Sequence, residues 1–118
     1  MSDSLSALVL EVLRFRDERD WAQFHTPRQL AAALAIEAAE LQEILLWKSD
    51  AEVRDLLSTP AGVERLAHEI ADVLIFALLM ADACRVDPTA AIREKLLDNA
   101  TKYPINKSKG RATKYTDL

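Results

Sequence analysis

Apolar residues recur at helical spacing along the first part of the chain. Leu5, Leu8, Val12 and Phe15 follow one another at intervals of three or four residues. This spacing is typical of a helix that buries one face and exposes the other to solvent. The pattern therefore predicts a first helix over residues 5–20.

Helix-capping residues divide the rest of the chain into four further helices. Serine, threonine and aspartate accept a hydrogen bond from a free amide at a helix start, and proline is tolerated at the first helical position. Such starts occur at Thr26-Pro27, Ser49-Asp50, Thr59-Pro60 and Asp87-Pro88. They predict helices over residues 27–47, 50–57, 60–85 and 88–103, of which the helix over 50–57 is a short connector.

These helices predict an all-α domain of the four-helix-bundle type, with four long helices and one short connecting helix. We place this domain at residues 1–104 and a basic C-terminal tail at residues 105–118. The composition agrees, because a chain of 118 residues with two glycines has few of the tight turns that an all-β fold needs.

Charge is unevenly distributed along the chain. Acidic residues outnumber basic ones by 19 to 15, and five of the basic residues lie within residues 102–118. The rest of the chain is acidic overall, which argues against binding to duplex nucleic acid and is compatible with a bound cation. The single Cys84 and the lack of an apolar signal segment lead us to expect a cytoplasmic protein. Charged residues interrupt the most apolar stretch, residues 66–83, so we expect no membrane span.

Two pairs of carboxylates fall on the apolar faces of the two longest predicted helices. Glu37 and Glu40 are three residues apart, and Glu37 lies about 20° around the helix from Leu30. Glu69 and Asp72 repeat this spacing on the fourth helix. A carboxylate on such a face points towards the interior of the protein rather than into solvent.

The connection between these two helices brings the carboxylate pairs to the same level. Glu37 lies about 15 Å before Trp47, and Glu69 lies about 14 Å after Pro60, at the rise of an α-helix. Carboxylates that converge in an interior repel one another unless they are protonated or hold cations. Oxygen ligands without thiolate or histidine favour Mg²⁺ or Mn²⁺.

With these residues the chain resembles the MazG-like all-α nucleoside triphosphate pyrophosphohydrolases, in the branch that includes the dCTP pyrophosphatases. The family motif is Glu-x-x-Glu followed at a distance by Glu-x-x-Asp, here Glu37, Glu40, Glu69 and Asp72. Flanking matches are residues 15–28, Leu46-Trp47-Lys48, Lys95, Asn99, Tyr103-Pro104 and residues 114–118.

The resemblance implies an enzyme that converts dCTP or another nucleoside triphosphate to its monophosphate and pyrophosphate, and so removes unwanted nucleotides. It implies that the four carboxylates hold Mg²⁺, that Glu37 and Glu40 act in catalysis, and that Glu40 orients or deprotonates the attacking water. It places the base among Trp21, His25, Trp47 and Phe76, and the phosphates and sugar beside Arg28, Lys48, Lys95, Asn99 and Tyr103. It also implies a homo-oligomer, either a tetramer or a dimer.

Several alternatives remain open from the sequence. The dCTP-specific relatives have a histidine and a tyrosine where this chain has Val12 and Phe76, so the base preference is not fixed. Inward carboxylates also occur in di-iron and di-manganese bundles, although these use Glu-x-x-His pairs. A helical module that binds RNA or a partner through its basic tail is the non-enzymatic alternative. Trp47 could also be a core or interface residue.

Overall fold

The computed structural model describes residues 4–118, and these residues form helices joined by short turns. The helices are α1 (Leu5–Asp17), α2 (Pro27–Leu45), α3 (Asp50–Leu57), α4 (Pro60–Ala83), α5 (Pro88–Lys102) and α6 (Ile105–Ser108), with 3-10 turns at Ala22–Phe24 and Tyr115–Asp117. This described part contains no strand. The predicted all-α class, with four long helices and a short connecting helix, is confirmed. Residues 1–3 of the predicted domain lie outside the described part.

Non-glycine residues in the left-handed conformation follow three of the long helices. Asp20, Trp47 and Arg85 have φ angles of 52°, 63° and 57° and follow the ends of α1, α2 and α4. Helices commonly end on such a residue, and glycine is the usual one. Because glycine is absent at these positions, the sequence gives no stop signal, and the predicted ends extend two or three residues too far.

The helix starts follow the predicted capping residues. The Ser49 hydroxyl accepts a hydrogen bond from the Glu52 amide, and the Glu52 carboxylate accepts one from the Ser49 amide, both at 3.2 Å. The Thr26 hydroxyl accepts from the amide of Gln29 at 3.4 Å. Asp87 accepts in the same way at the start of α5. Four predicted starts therefore lie within a residue of the observed ones.

The region up to Arg85 forms one compact unit, in which α2 and α4 pack against each other over the largest helix interface. Leu30 and Ile44 of α2 and Leu66 and Leu79 of α4 are its buried hydrophobic residues. A short corner between α3 and α4 supports this packing, because a Cβ at Gly62 would run into the carbonyl group of Leu56. This pairing sets the relative position of the carboxylates on α2 and α4.

The region from Val86 onwards forms a second compact unit. Within it, the rings of Tyr103 and Tyr115 meet edge to face with centroids 5.9 Å apart. The Lys102 ammonium lies 5.1 Å from the Tyr115 ring and 3.1 Å from the Asp98 carboxylate. The basic segment therefore folds back onto α5. The division into a domain over residues 1–104 and a tail over residues 105–118 stays a prediction.

Many large apolar side chains in the described part remain in contact with solvent. Trp47 is 92% exposed, Leu10 66%, and Ile36 and Leu74 are each 58% exposed. Soluble monomers seldom leave so many large apolar groups uncovered. No helix in the described region is both long and apolar enough to cross a membrane.

Candidate active site

Helices α2 and α4 bring three of the four predicted carboxylates together. One carboxylate oxygen from each of Glu37, Glu40 and Glu69 lies within 4.8 Å of the others. The three-residue spacing on α2 places its two glutamates on one face, and the packing of α2 on α4 places Glu69 opposite them. We call Glu37, Glu40 and Glu69 the carboxylate cluster.

The carboxylate cluster contains polar atoms that no protein group satisfies. The Oε2 atoms of Glu37 and Glu69 are buried, and neither has a hydrogen-bond partner. Burial raises the pKa of Glu37, and a hydrogen bond with Glu40 and the charges of Glu40, Asp72 and Glu69 raise it further. A cation bound among these oxygens would remove both the repulsion and the unsatisfied acceptors.

Asp72 lies one helical turn after Glu69, at the edge of the carboxylate cluster. It is not one of the three carboxylates that meet within 4.8 Å. Its charge is nevertheless close enough to raise the pKa of Glu37. Asp72 also lines a neighbouring cavity, so this one residue lies beside both the carboxylate cluster and the cavity.

The cavity beside Asp72 has a volume of about 400 Å³ and lies among α1, the segment that follows it, and α4. This volume is in the range of small-molecule sites, which measure about 300–1,000 Å³. We call this cavity the apolar pocket, because aliphatic and aromatic side chains form most of its wall. The lining residues are Glu11, Val12, Phe15, Arg16, Trp21, His25, Asp72, Ile75, Phe76 and Leu79.

Aromatic contacts fix one wall of the apolar pocket. The Trp21 ring meets Phe15 edge to face at 5.9 Å, and its centroid lies 6.4 Å from that of His25. The Arg19 guanidinium lies 3.6 Å from the centroid of the Phe15 ring, a cation–π contact that adds to the packing. The buried Nδ1 atom of His25 has no hydrogen-bond partner. His25 can therefore offer a polar group to a molecule in the apolar pocket.

The predicted base-binding residues fall into two groups. Trp21, His25 and Phe76 line the apolar pocket, and their contact with a base stays a prediction. Trp47 does not line it, and its side chain is exposed beyond the end of α2. Its backbone is in the left-handed region, which costs a bulky residue about 1–2 kcal/mol.

The predicted phosphate-binding and sugar-binding residues lie in both compact units. Arg28 is exposed in the first turn of α2, and Lys48 is exposed after that helix. Lys95 and Asn99 lie on α5, and Tyr103 follows it. Their roles stay predictions.

Several residues of the apolar pocket had no pocket role assigned from the sequence. Val12 and Phe15 belong to the apolar stripe of α1, which was expected to be buried. Val12 was also singled out as the position where the dCTP-specific relatives have a histidine. Glu11 and Arg16 had no assigned role, although each stands beside a member of that stripe. An apolar stripe flanked by charged residues was the available signal. Such a stripe looks the same in sequence whether it faces a core or a cavity.

The arrangement can hold a molecule with one flat apolar part and one anionic part. The apolar pocket suits a ring system, since aromatic faces stack on any base. The carboxylate cluster is itself negative, so it can bind an anion only through a cation that lies between the carboxylates and that anion. Asp72 joins the two regions, so both parts of such a molecule could bind at once.

Comparison with known proteins finds similarity to the MazG-like family and to proteins described as pyrophosphatases. The MazG-like family model matches residues 32–118. dCTP pyrophosphatase 1 of Rattus norvegicus is 45% identical over 104 residues, and that of Homo sapiens is 40% identical over the same length. Each alignment covers 88% of this chain and 61% of the relative, so the chain spans less than two thirds of these relatives.

A solved structure has the same fold. The crystal structure of a pyrophosphatase from Archaeoglobus fulgidus DSM 4304 superimposes with a TM-score of 0.77 at 37% sequence identity. The match covers 88% of this chain and 95% of that protein. The family match spans all four carboxylates of the Glu-x-x-Glu and Glu-x-x-Asp motifs. The chain therefore belongs to the MazG-like family.

Proposed function

We propose that this protein is a metal-dependent nucleoside triphosphate pyrophosphohydrolase. It cleaves the bond between the α phosphate and the β phosphate of dCTP or another deoxynucleoside triphosphate, and releases the monophosphate and pyrophosphate. The observation that supports this most is the position of Asp72. It lines the apolar pocket, and its charge raises the pKa of Glu37 in the carboxylate cluster. The similarity to dCTP pyrophosphatase 1 supports the same substrate class.

The carboxylate cluster suits Mg²⁺, and Mn²⁺ as a substitute. Glu37, Glu40 and Glu69 offer hard oxygen ligands, and two of their oxygens are buried without partners. Asp72 extends this set towards the apolar pocket. A bound Mg²⁺ supplies positive charge that draws the phosphate oxygens to the carboxylates and lowers the cost of the charge that builds during cleavage.

The side chains of the site bind the base, accept a proton from water and contact the phosphates. Trp21 and Phe76 hold the base in the apolar pocket, and this fixes the triphosphate relative to the carboxylates. Glu40 accepts a proton from the water that attacks the α phosphorus. The bond from this phosphorus to the bridging oxygen breaks, and pyrophosphate leaves with that oxygen. Arg28 and Lys48 offer positive charge to the phosphates.

The biological assembly in this proposal is a homotetramer built from two dimers, with a dimer as the simpler form. The uncovered Trp47, Leu10, Ile36 and Leu74 provide apolar surface for such contacts. Light scattering at micromolar concentration measures the mass of the assembly directly. A monomer under these conditions would contradict this part of the proposal.

A nucleotide panel tests the proposed activity. The purified protein is incubated with dCTP, dATP, dTTP or dUTP, with Mg²⁺ or with EDTA, and pyrophosphate and monophosphate are quantified. We expect equal amounts of both products from at least one nucleotide, and no turnover in EDTA. Release of orthophosphate alone, or no product from any nucleotide, contradicts the proposal.

Two variants on the same helix make the test specific to the site. Glu37→Gln removes one carboxylate of the cluster and should abolish turnover while the helical circular dichroism spectrum is retained. Glu43→Gln is the matched control, because Glu43 is exposed on α2 outside the cluster. Equal loss of activity in both variants would show that the cluster has no special role. Iron content after purification separates this enzyme from the di-iron alternative.

A further inference from the structure

A single ion pair connects the last turns of α1 and α4. The Nη1 atom of Arg16 donates a hydrogen bond to Oδ2 of Asp82 at 2.9 Å, across 66 residues of sequence. Among residues 5–118, no other side-chain hydrogen bond joins residues more than four positions apart. The interface between α1 and α4 is also much smaller than that between α2 and α4. The pair is therefore the one side-chain hydrogen bond between α1 and α4 among these residues, beside a small interface.

The surroundings of Arg16 make this ion pair stronger than an ordinary surface pair. Its side chain is 16% exposed, while that of Asp82 is 39% exposed. Its Nε atom also donates to Asp17 at 2.8 Å, so two acidic groups hold one guanidinium. Hydrogen bonding to Asp17 and Asp82 raises the pKa of Arg16. Partial burial reduces the solvent screening that weakens exposed pairs.

The ion pair lies where it can set the width of the apolar pocket. Arg16 is one of the lining residues, and α1 and α4 each supply part of the wall. Val12 and Phe15 of α1 move with the end of that helix, whereas Ile75 and Leu79 belong to α4. Loss of the pair would release α1 from α4 and loosen the contacts around whatever the pocket holds.

We propose that Arg16 is a positioning residue, which through Asp82 sets the distance between α1 and α4 and thereby the affinity and selectivity of the pocket for the base. This inference rests on the proposed function. Asp82 lies ten residues after Asp72, about 15 Å along α4 and so far from the carboxylate cluster. The pair therefore affects binding of the nucleotide and leaves the cleavage step unchanged.

Steady-state kinetics of a double-variant cycle test this role. Asp82→Asn and Arg16→Met should each raise KM for the preferred nucleotide by about three- to tenfold with kcat within about twofold of wild type. The double variant should have a KM no higher than that of either single variant, because all three proteins lack the same ion pair. The ratio of kcat/KM between the best and worst nucleotide should fall in each of them.

Asp17→Asn is the matched control for this cycle. Asp17 contacts the same guanidinium but belongs to α1, so it does not connect the two helices. We expect it to leave KM and the nucleotide ratio close to wild type. Additive effects in the double variant, or an unchanged KM in Asp82→Asn, would overturn the inference. An effect of Arg16→Met alone would also overturn it, because Arg16 would then contact the nucleotide directly.

Hydrogen exchange gives a readout that does not depend on turnover. In Asp82→Asn the amides of α1 should exchange faster than in wild type, and those of α2 should not change. If the wild type releases no pyrophosphate but Asp82→Asn shows this exchange pattern, the proposed function is contradicted and the link between the helices stands. Unchanged exchange in α1 contradicts the link itself, whatever the activity.

Discussion

Replacing Glu37 with glutamine should stabilise the metal-free protein and abolish its stabilisation by Mg²⁺. The Oε2 atom of Glu37 is buried without a partner, and its carboxylate meets those of Glu40 and Glu69 within 4.8 Å. Glutamine keeps the size of the side chain and removes its charge. The substitution therefore isolates the electrostatic cost of the carboxylate cluster.

The magnitude follows from the spacing of the charges. Two unit charges 4.8 Å apart repel each other by about 3 kcal/mol at an effective dielectric constant of about 20. The metal-free protein avoids part of this repulsion by keeping a proton on Glu37, since burial raises the pKa of that carboxyl. The net gain on substitution is then about 1–2 kcal/mol, which raises Tm by about 4–8 °C in a chain of this length.

The pH dependence follows from the direction of the pKa shift. At pH values below the ordinary range of a glutamate, Glu37 is protonated in the folded and the unfolded state, and it costs no stability. As the pH rises, the unfolded chain ionises first, because burial raises the pKa of Glu37 in the folded protein. The wild type loses stability until the pH exceeds that raised pKa. The advantage of Glu37→Gln should grow over this interval and then remain constant.

Thermal unfolding in EDTA and in Mg²⁺, across this pH range, measures both effects. Mg²⁺ should raise the Tm of the wild type and of Glu43→Gln, and it should leave that of Glu37→Gln unchanged. The electrostatic cost of the carboxylate cluster is refuted if Glu37→Gln is no more stable than wild type in EDTA near neutral pH. Binding of Mg²⁺ at the cluster is refuted if Mg²⁺ stabilises all three proteins equally.

Three further substitutions, the first with a control at Gly110, probe the packing, the pocket and the assembly. Gly62→Ala places a methyl group against the carbonyl of Leu56 and should lower the free energy of unfolding by about 2–4 kcal/mol in denaturant titrations. Gly110→Ala has open space and a φ of 74°, so a loss above about 2 kcal/mol there would contradict this reasoning. Phe76→Ala should raise KM about tenfold with little change in kcat, unless the base binds elsewhere. Trp47→Ala should shift sedimentation velocity profiles towards smaller species, and an unchanged profile would exclude Trp47 from subunit contacts.

The convergence of the carboxylates could be predicted from the sequence because two independent features agree. Helical periodicity places Glu37 and Glu69 on the apolar faces, and the short connection through α3 puts them at the same level. The position of Asp72 at the edge of the cluster could not be predicted. A shift of one helical turn depends on how the side chains of α2 and α4 interlock, which spacing alone does not specify.

The helix ends and the apolar pocket were harder to predict, for different reasons. The end of α1 depends on a left-handed Asp20, a conformation that a sequence signals clearly only with glycine. The pocket depends on the path of the segment that carries Trp21 and His25 towards α4. That path follows from tertiary contacts, such as the edge of Trp21 on Phe15, and not from periodicity.

The position of Asp72 between the apolar pocket and the carboxylate cluster links two binding equilibria. Thermodynamic reciprocity requires that if a cation increases the affinity for a nucleotide, the nucleotide increases the affinity for the cation by the same factor. A nucleotide whose binding is coupled more strongly to the cation thus also retains the cation more firmly. As the cation approaches saturation, preference for such a nucleotide becomes sharper, because its coupling to the cation then contributes fully to its affinity. Selectivity would then depend on the ionic composition of the surrounding solution as well as on the shape of the pocket.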